Sequence, residues 1–406
     1  MRNCWSLLLI ISFAFSTSAK AVEFSFDGYV DVRLVLPSGE KSWIDGGVGK
    51  FRFGGQQPSP NFRFTEAVGQ VSAAITPDIH GVVVARIEPE QRSGVDLLET
   101  YFAWRPEAAG DLRWSMKTGA FFPPISLEND DIGWTSPYTL TPSAINSWVG
   151  DELRTIGGEG TLEWRGPAGT LRASGALFCC NEPAGNLIAK RGWSLDDRPT
   201  GLFERVNTPE TDPYFAFPLG IAMPEFAQRR GLFENIDGHV GWYGGLNWSM
   251  PNLGEARILY YDNEANPAAF SLRDTSWRTH FWATSYRGRF LGATILAQGM
   301  TGQTAIGAAP SSVTYFDSAY LLASYDIDDW RLSGRAETFE ARNSSATEDS
   351  EDGHAITAAV SWNARSWLRV TSELIELSSR RGEPAFDGRV SSRDDRQFQL
   401  NGRIFL

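Results

Sequence analysis

The chain has 406 residues, with 37 basic and 49 acidic side chains and a formal charge of −12. Such acidity speaks against a nucleic-acid partner, because binding phosphates takes an excess of Lys and Arg. Aromatic residues make up 13% of the chain, with 15 Trp, yet no run of about twenty apolar residues is present to cross a bilayer as a helix.

Arg2 begins a short basic stretch, Leu7 to Phe15 is an apolar core, and Ala19-Lys20-Ala21 offers a small-x-small cleavage pattern. Residues 1–21 read as a secretory signal, leaving a mature chain from Val22 and marking any membrane insertion as an affair of strands. Cys4 leaves with that signal.

Period-two alternation bounded by turn residues then predicts about sixteen strands, with 14 to 18 as the bracket. They fall near 24–35, 64–75, 81–88, 97–105, 111–120, 156–165, 170–178, 239–249, 255–262, 276–286, 289–299, 314–325, 330–340, 354–363, 367–377 and 396–406. Short links such as Thr76-Pro77-Asp78 and Ala364-Arg365-Ser366 alternate with long polar stretches, the plan of an antiparallel transmembrane β-barrel with long external loops. The stretches 37–63 and 179–237 each leave room for a hidden hairpin. Trp104, Trp114, Trp164, Trp248, Trp330 and Trp367 sit close to the short-turn side, as an interfacial girdle does. A soluble sandwich or propeller would place its aromatics mid-strand instead.

In strand 111–120 the apolar Leu112, Trp114 and Met116 claim the lipid face, which turns Arg113 and Lys117 inward. The same parity turns inward Arg33, Arg86, Arg105, Arg172, Arg257, Arg278, Arg331, Arg335, Arg369 and Arg403. It also turns inward the acids Asp27, Asp31, Glu88, Glu99, Glu163, Glu337 and Glu373. An Arg or Lys facing lipid at mid-bilayer costs roughly 2–4 kcal/mol, which favours this assignment. The wall is expected to be net basic, and therefore anion-preferring, although the chain is acidic. Surplus acid lies in outer loops such as Glu348-Asp349-Ser350-Glu351-Asp352, where divalent cations and lipopolysaccharide screen it.

A barrel of sixteen strands is too wide for its own side chains to fill. The stretch 121–154 is the expected filler, with four prolines, two tryptophans and several apolar residues, more than a solvated loop needs. Pro142 at a first turn, Ser143 to Trp148 and the acids Asp151 and Glu152 suit a short helix. Glu128, Asp130, Asp131, Asp151, Glu152 and Arg154 are the charges that this constriction loop brings to the pore, where the acids and the wall arginines set up a transverse field. A cap outside the mouth is the alternative.

The segment Lys117-Thr118-Gly119-Ala120-Phe121-Phe122-Pro123-Pro124 resembles the strand-to-loop motif of the phosphate-selective-type (porin O/P-like) outer-membrane porins. That resemblance implies a passive diffusion channel for small hydrophilic solutes or anions in the bacterial outer membrane. It implies outer-membrane lipid and lipopolysaccharide as surroundings and, by analogy with classical porins, a homotrimer. The chain departs from the pattern in its scarcity of lysine and in a barrel that begins at Phe24, with no room for a plug domain.

Cys179 and Cys180 are adjacent and read equally as two loop thiols or a vicinal bridge, with no neighbouring His to suggest a metal. Nothing calls for a cofactor. His80, His239, His280 and His354 lack a companion motif, so catalysis is not expected. The remaining alternatives are a non-conducting barrel serving as adhesin or structural protein and, behind it, a barrel-embedded hydrolase. The final strand, Arg396 to Leu406, alternates Phe398, Leu400, Gly402 and Ile404 with Gln397, Gln399, Asn401 and Arg403 and closes the barrel. Mass spectrometry of the membrane-extracted protein is expected to find the N-terminus near Val22; an intact Met1 would contradict the leader.

Overall fold

A computed structural model of the chain describes residues 22–406 apart from 38, 48, 56–59, 92, 109, 208–228, 272–274, 309, 311, 345–349 and 383–391. The leader and, of the acidic run at 348–352, residues 348 and 349 lie outside the described residues, whereas Glu351 is buried at the start of a wall strand. The strands are β1 (Glu23–Pro37), β2 (Asn61–Ala74), β3 (Ile79–Ile87), β4 (Asp96–Trp104), β5 (Leu112–Phe121), β6 (Thr155–Gly166), β7 (Gly169–Cys179), β8 (Arg205–Asn207) and β9 (Arg229–Gly231). They continue with β10 (Gly241–Met250), β11 (Gly254–Asp262), β12 (Arg278–Phe290), β13 (Ala293–Ile306), β14 (Ser312–Ile327), β15 (Trp330–Asn343), β16 (Glu351–Arg365), β17 (Leu368–Arg381) and β18 (Ser392–Phe405). Among the described residues two α-helices intervene, α1 (Ala144–Glu152) and α2 (Asn186–Arg191), besides a 3-10 turn at Trp43–Asp45.

β1–β7 and β10–β18 form one closed antiparallel barrel of sixteen strands, in which β7 pairs with β10 and β18 closes on β1. Each corresponds to a strand expected from the sequence, most to within a few residues, while β13 lies later than the expected 289–299 at both ends. Of the two stretches with room for a hairpin, 179–237 holds β8 and β9, which pair only with each other off the wall. Strands β12–β18, β1 and β2 run 13 to 16 residues and β3–β7, β10 and β11 only 9 to 12, so one side of the barrel is taller.

Alternation produces two unlike faces. Outward stand residues such as Phe102, Leu162, Leu246, Leu321, Leu332 and Leu400, all exposed. The six tryptophans expected as a girdle are outward as well, each 41–53% exposed next to the short turns. Those turns are tight: Leu291 and Gly292, both at positive φ, alone connect β12 to β13.

Parity failed at Arg278. It shares the outer face with His280 and Trp282 and reaches Asp262 at 3.2 Å and Glu264 at 2.9 Å. Inside at this level lie Thr279, Phe281 and Ala283, because the lumen there is packed with protein and accepts apolar side chains that parity had sent to lipid.

The seam between first and last strand is held by charge as well as by backbone. Asp31 accepts two hydrogen bonds from Arg403, at 2.8 Å each, and one from Arg33 at 3.2 Å, all three side chains being buried. Removing one partner of a buried ionic group leaves the others uncompensated at a cost of about 3–5 kcal/mol. Asp31→Ala is therefore expected to lower the urea midpoint of the folded form on unheated gels; an unchanged midpoint would show that backbone pairing alone closes the barrel.

Candidate functional site

Two residues before β5 ends and the chain turns into the lumen, Gly119 has a φ of +140° and lacks a Cβ that would lie 2.3 Å from the Thr100 carbonyl oxygen, a position that suits glycine alone. Residues 121–154 then cross the inside of the barrel. A segment without ladder partners must find them elsewhere, and here the wall supplies them. The Glu373 carboxylate accepts from the N–H groups of Leu140 (2.6 Å) and Thr141 (3.1 Å), Glu337 from that of Ala144 (2.7 Å), and Glu99 from that of Phe122 (3.0 Å). Arg257 donates to the carbonyls of Pro124 and Ser126, and Arg331 to that of Pro137.

Arg335 is the hub. Only 2% exposed, it donates to Glu128 (2.8 Å), Glu337 (2.8 Å), the carbonyls of Thr141 and Pro142, and the hydroxyls of Thr139 and Thr357. The helix anticipated after Pro142 is α1, starting one residue later than Ser143. Ser143 is its N-cap and its hydroxyl accepts from the Asn146 N–H. Trp148 projects from α1 into a cluster with Trp193, Phe281 and Phe316 at centroid distances of 5.1 to 6.0 Å.

Trp193 belongs to a second infolded segment, residues 181–204, which sequence reasoning missed. Almost all of it is buried. It contains α2, whose N-terminus is capped by the Glu152 carboxylate at 2.7 Å from the Leu187 N–H. Arg191 meets Asp151 at 2.8 Å, and Asp196 accepts from the Trp43 indole at 3.1 Å. Asp197 sits between Arg33 (2.5 Å) and Arg52 (3.4 Å), and Arg198 pairs with Glu88 (2.6 Å) and Glu204. Its only announcements in the sequence are Trp193 and the apolar Leu187, Ile188 and Leu195 inside an otherwise polar stretch. A third stretch, around Trp43 and Phe51, packs against it, with the Leu195 N–H donating to the Lys50 carbonyl. Where β7 gives way to this segment, Cys179 and Cys180 form a vicinal disulfide, the bridged alternative, with Cys180 at a φ of +70°.

The charges expected at a constriction therefore divide. Glu128 is sealed against Arg335, while Asp151 and Glu152 hold the second segment. Burial pushes the carboxyls of Asp151 and Glu152 up and the guanidinium of Arg154 down. Arg154 stacks 3.3 Å over Phe122 and caps α1 by donating to the Gly150 and Leu153 carbonyls. Of the six, Asp130, paired with Arg287, and the exposed Asp131 face open space.

The wall cations divide in the same way. Arg331 pairs with Asp326 at 2.7 Å, and Arg369 donates to Asn363 at 2.9 Å. Arg113, Lys117 and Arg172 line an open cavity of about 950 Å³ on the short-turn side, between β4 and β7. Its charged lining consists of Arg105, Arg113, Lys117, Arg165 and Arg172 against Asp78, Glu107, Glu159 and Glu163, five against four. Lys117 lies 3.7 Å from Glu159 and 3.9 Å from the centre of the Phe121 ring.

No protein-family model matches the chain, and no curated relative does. Solved structures do. The outer-membrane channel DcaP of Acinetobacter baumannii is similar at 9% identity with a TM-score of 0.56, over 97% of this chain and 99% of that one. An anion-selective porin from Comamonas acidovorans is similar at 9% identity and 0.53, over 95% and 100%. In-vitro folded OmpT of Vibrio cholerae, in a trimer form, is similar at 9% and 0.52, over 95% and 100%. At such identities the likeness is one of fold, that of outer-membrane barrels, and none of the three is described as phosphate-selective.

Lys50 provides a pH test of how these segments are seated. It pairs with Glu351 and donates to the Trp193 carbonyl at 2.8 Å, and burial pulls its ammonium down to about 8. An amine with a depressed folded value binds fewer protons folded than unfolded between pH 8 and about 10.4. Its contribution to stability thus rises as pH climbs through that window. The urea midpoint is expected to gain from pH 7 to pH 10 more in the wild type than in Lys50→Met; equal gains would contradict the burial of the ammonium.

Proposed function

We propose that the chain is a passive diffusion channel of the bacterial outer membrane, passing small hydrophilic solutes with a weak preference for anions. The observation that carries this reading is the pairing of an outward apolar wall and tryptophan girdle with an inward cavity lined by five cations and four acids. Lipid accounts for the first face and water for the second. An uneven balance of fixed charge beside a narrow water column attracts counter-ions. One of the similar structures is an anion-selective porin, which supports the preference, and another is a trimer, which supports three copies here. Lipopolysaccharide and lipid surround the barrel in this reading, and the leader ending at Ala21 delivers it.

The open-space cations Arg113 and Lys117 govern selectivity, whereas Arg335 serves to hold the constriction loop. A second reading, a non-conducting barrel that acts as adhesin or structural protein, is favoured by the two infolded segments that occupy the long-loop half of the lumen. Planar-bilayer recordings in a KCl gradient decide between them. Anion-directed reversal potentials are expected, reduced by Arg113→Gln with Lys117→Gln and fading in concentrated salt, since the Debye length is only about 8 Å at physiological ionic strength. A cation-selective current would refute the preference, and absence of any current would favour the second reading.

A further inference from the structure

The open cavity has an ordered floor. Across β5, β6, β7 and β10 the inward residues Ser115, Thr161, Ser174 and Gly245 stand in register, a shallow row of three hydroxyls ending on a glycine. The row nearer the short turns is Arg113, Glu163, Arg172, Asn247 and, on β11, Arg257. The row on the other side begins with Lys117 and Glu159.

Four of these side chains, Arg113, Ser115, Thr161 and Ser174, are not consumed by the fold among the described residues. Glu163, opposite Arg113, is already held by Arg165 at 2.6 Å and Arg172 at 2.7 Å, so the exposed guanidinium of Arg113 has no carboxylate of its own. The hydroxyls of Ser115, Thr161 and Ser174 make no hydrogen bond within the described chain. Asn247 donates to Glu255 at 2.6 Å while its own Oδ1, on the adjoining floor, is buried and unpartnered. A smaller cavity of about 120 Å³ over Thr161, Ser174 and Asn247 shares Arg172 and Glu159 with the larger one, so the floor is reachable along its length.

Resting on the channel reading, we infer that this trough is a binding site for a polyhydroxylated monocarboxylate, a sugar acid, on its way through the pore. The carboxylate takes the forked N–H donors of Arg113. The hydroxyl chain lies along Ser115, Thr161 and Ser174, which both donate and accept, and Glu159, whose Oε2 already accepts from the Tyr243 hydroxyl at 2.6 Å and whose Oε1 faces Lys117, accepts from it with its remaining lone pairs. Each feature excludes a neighbouring class. An inorganic anion leaves the hydroxyl row unused. A neutral sugar leaves Arg113 unpaired. A multiply charged anion is opposed by Glu159 and Glu163, which together with Asp78 and Glu107 bring the lining to a single net positive charge.

The test uses the full-length folded protein in detergent at low salt, with gluconate, propionate and glucose as probes, titrated by calorimetry and, separately, as blockers of single-channel current. Gluconate is expected to bind about tenfold more tightly than either propionate or glucose, the effect of one hydrogen-bonded charge or of a few neutral hydrogen bonds. Arg113→Gln should reduce gluconate to the glucose level, and Thr161→Val with Ser174→Ala should reduce it to the propionate level; the second variant removes no charge, so it still decides the matter if the first fails to assemble. Equal affinity for the three probes, or gluconate affinity untouched by both variants, overturns the site. Binding without ionic current sinks the diffusion reading and leaves the site standing, whereas anion-selective current without gluconate preference does the reverse.

Discussion

A chain segment that runs through the inside of a barrel has neither water nor a neighbouring strand to satisfy its backbone, and each buried N–H or C=O left unpaired costs roughly 1–3 kcal/mol. That constraint organises the interior of this protein. The wall answers it with charge: carboxylates of Glu99, Glu337 and Glu373 collect backbone N–H groups, and guanidiniums of Arg257, Arg331 and Arg335 collect carbonyls. A charged acceptor or donor on a rigid strand makes stronger hydrogen bonds than a neutral one. It can hold an irregular segment that no ladder could hold.

The same solution makes the lumen lopsided. The second segment is tied by Asp197 and Arg198 to the β1–β3 side, where Arg33, Arg52 and Glu88 wait for it. The first leans on β15 and β17 through Arg335 and Glu373. Open space is left along β4 to β7 and extends to β10 and β11, the shorter wall. Permeation in this account follows that wall and not the barrel axis, so the charges that matter for a solute are those of one quadrant.

How much of this was legible follows from what each feature asks of the sequence. Strands on a wall between lipid and water must alternate, so their number and positions stand out, as in Phe398, Leu400, Gly402 and Ile404 against Gln397, Gln399, Asn401 and Arg403. The first infolded segment stands out through Pro123, Pro124, Trp134 and Trp148, residues that solvent does not favour. The second does not, because Lys190, Arg191, Asp196, Asp197 and Arg198 look solvated until the wall charges that neutralise them are in view. Parity also counts charges without seeing partners: Arg335 was rightly turned inward, but into Glu128 and Glu337, not into water. Arg278 shows the reverse error, since a dry stretch of lumen admits Phe281 and Ala283 and breaks the rule that apolar means lipid.

The central claim, that two segments and not one fill the lumen, is tested most directly by the single-channel conductance of a chain from which residues 183–204 have been excised and bridged by a short Gly-Ser linker. Conductance several times that of the wild type is the result this account expects, because the β1–β3 side of the barrel would open to water. Conductance equal to the wild type, in a barrel that still migrates as folded, would mean that the second segment does not occupy the conducting lumen and would contradict the account.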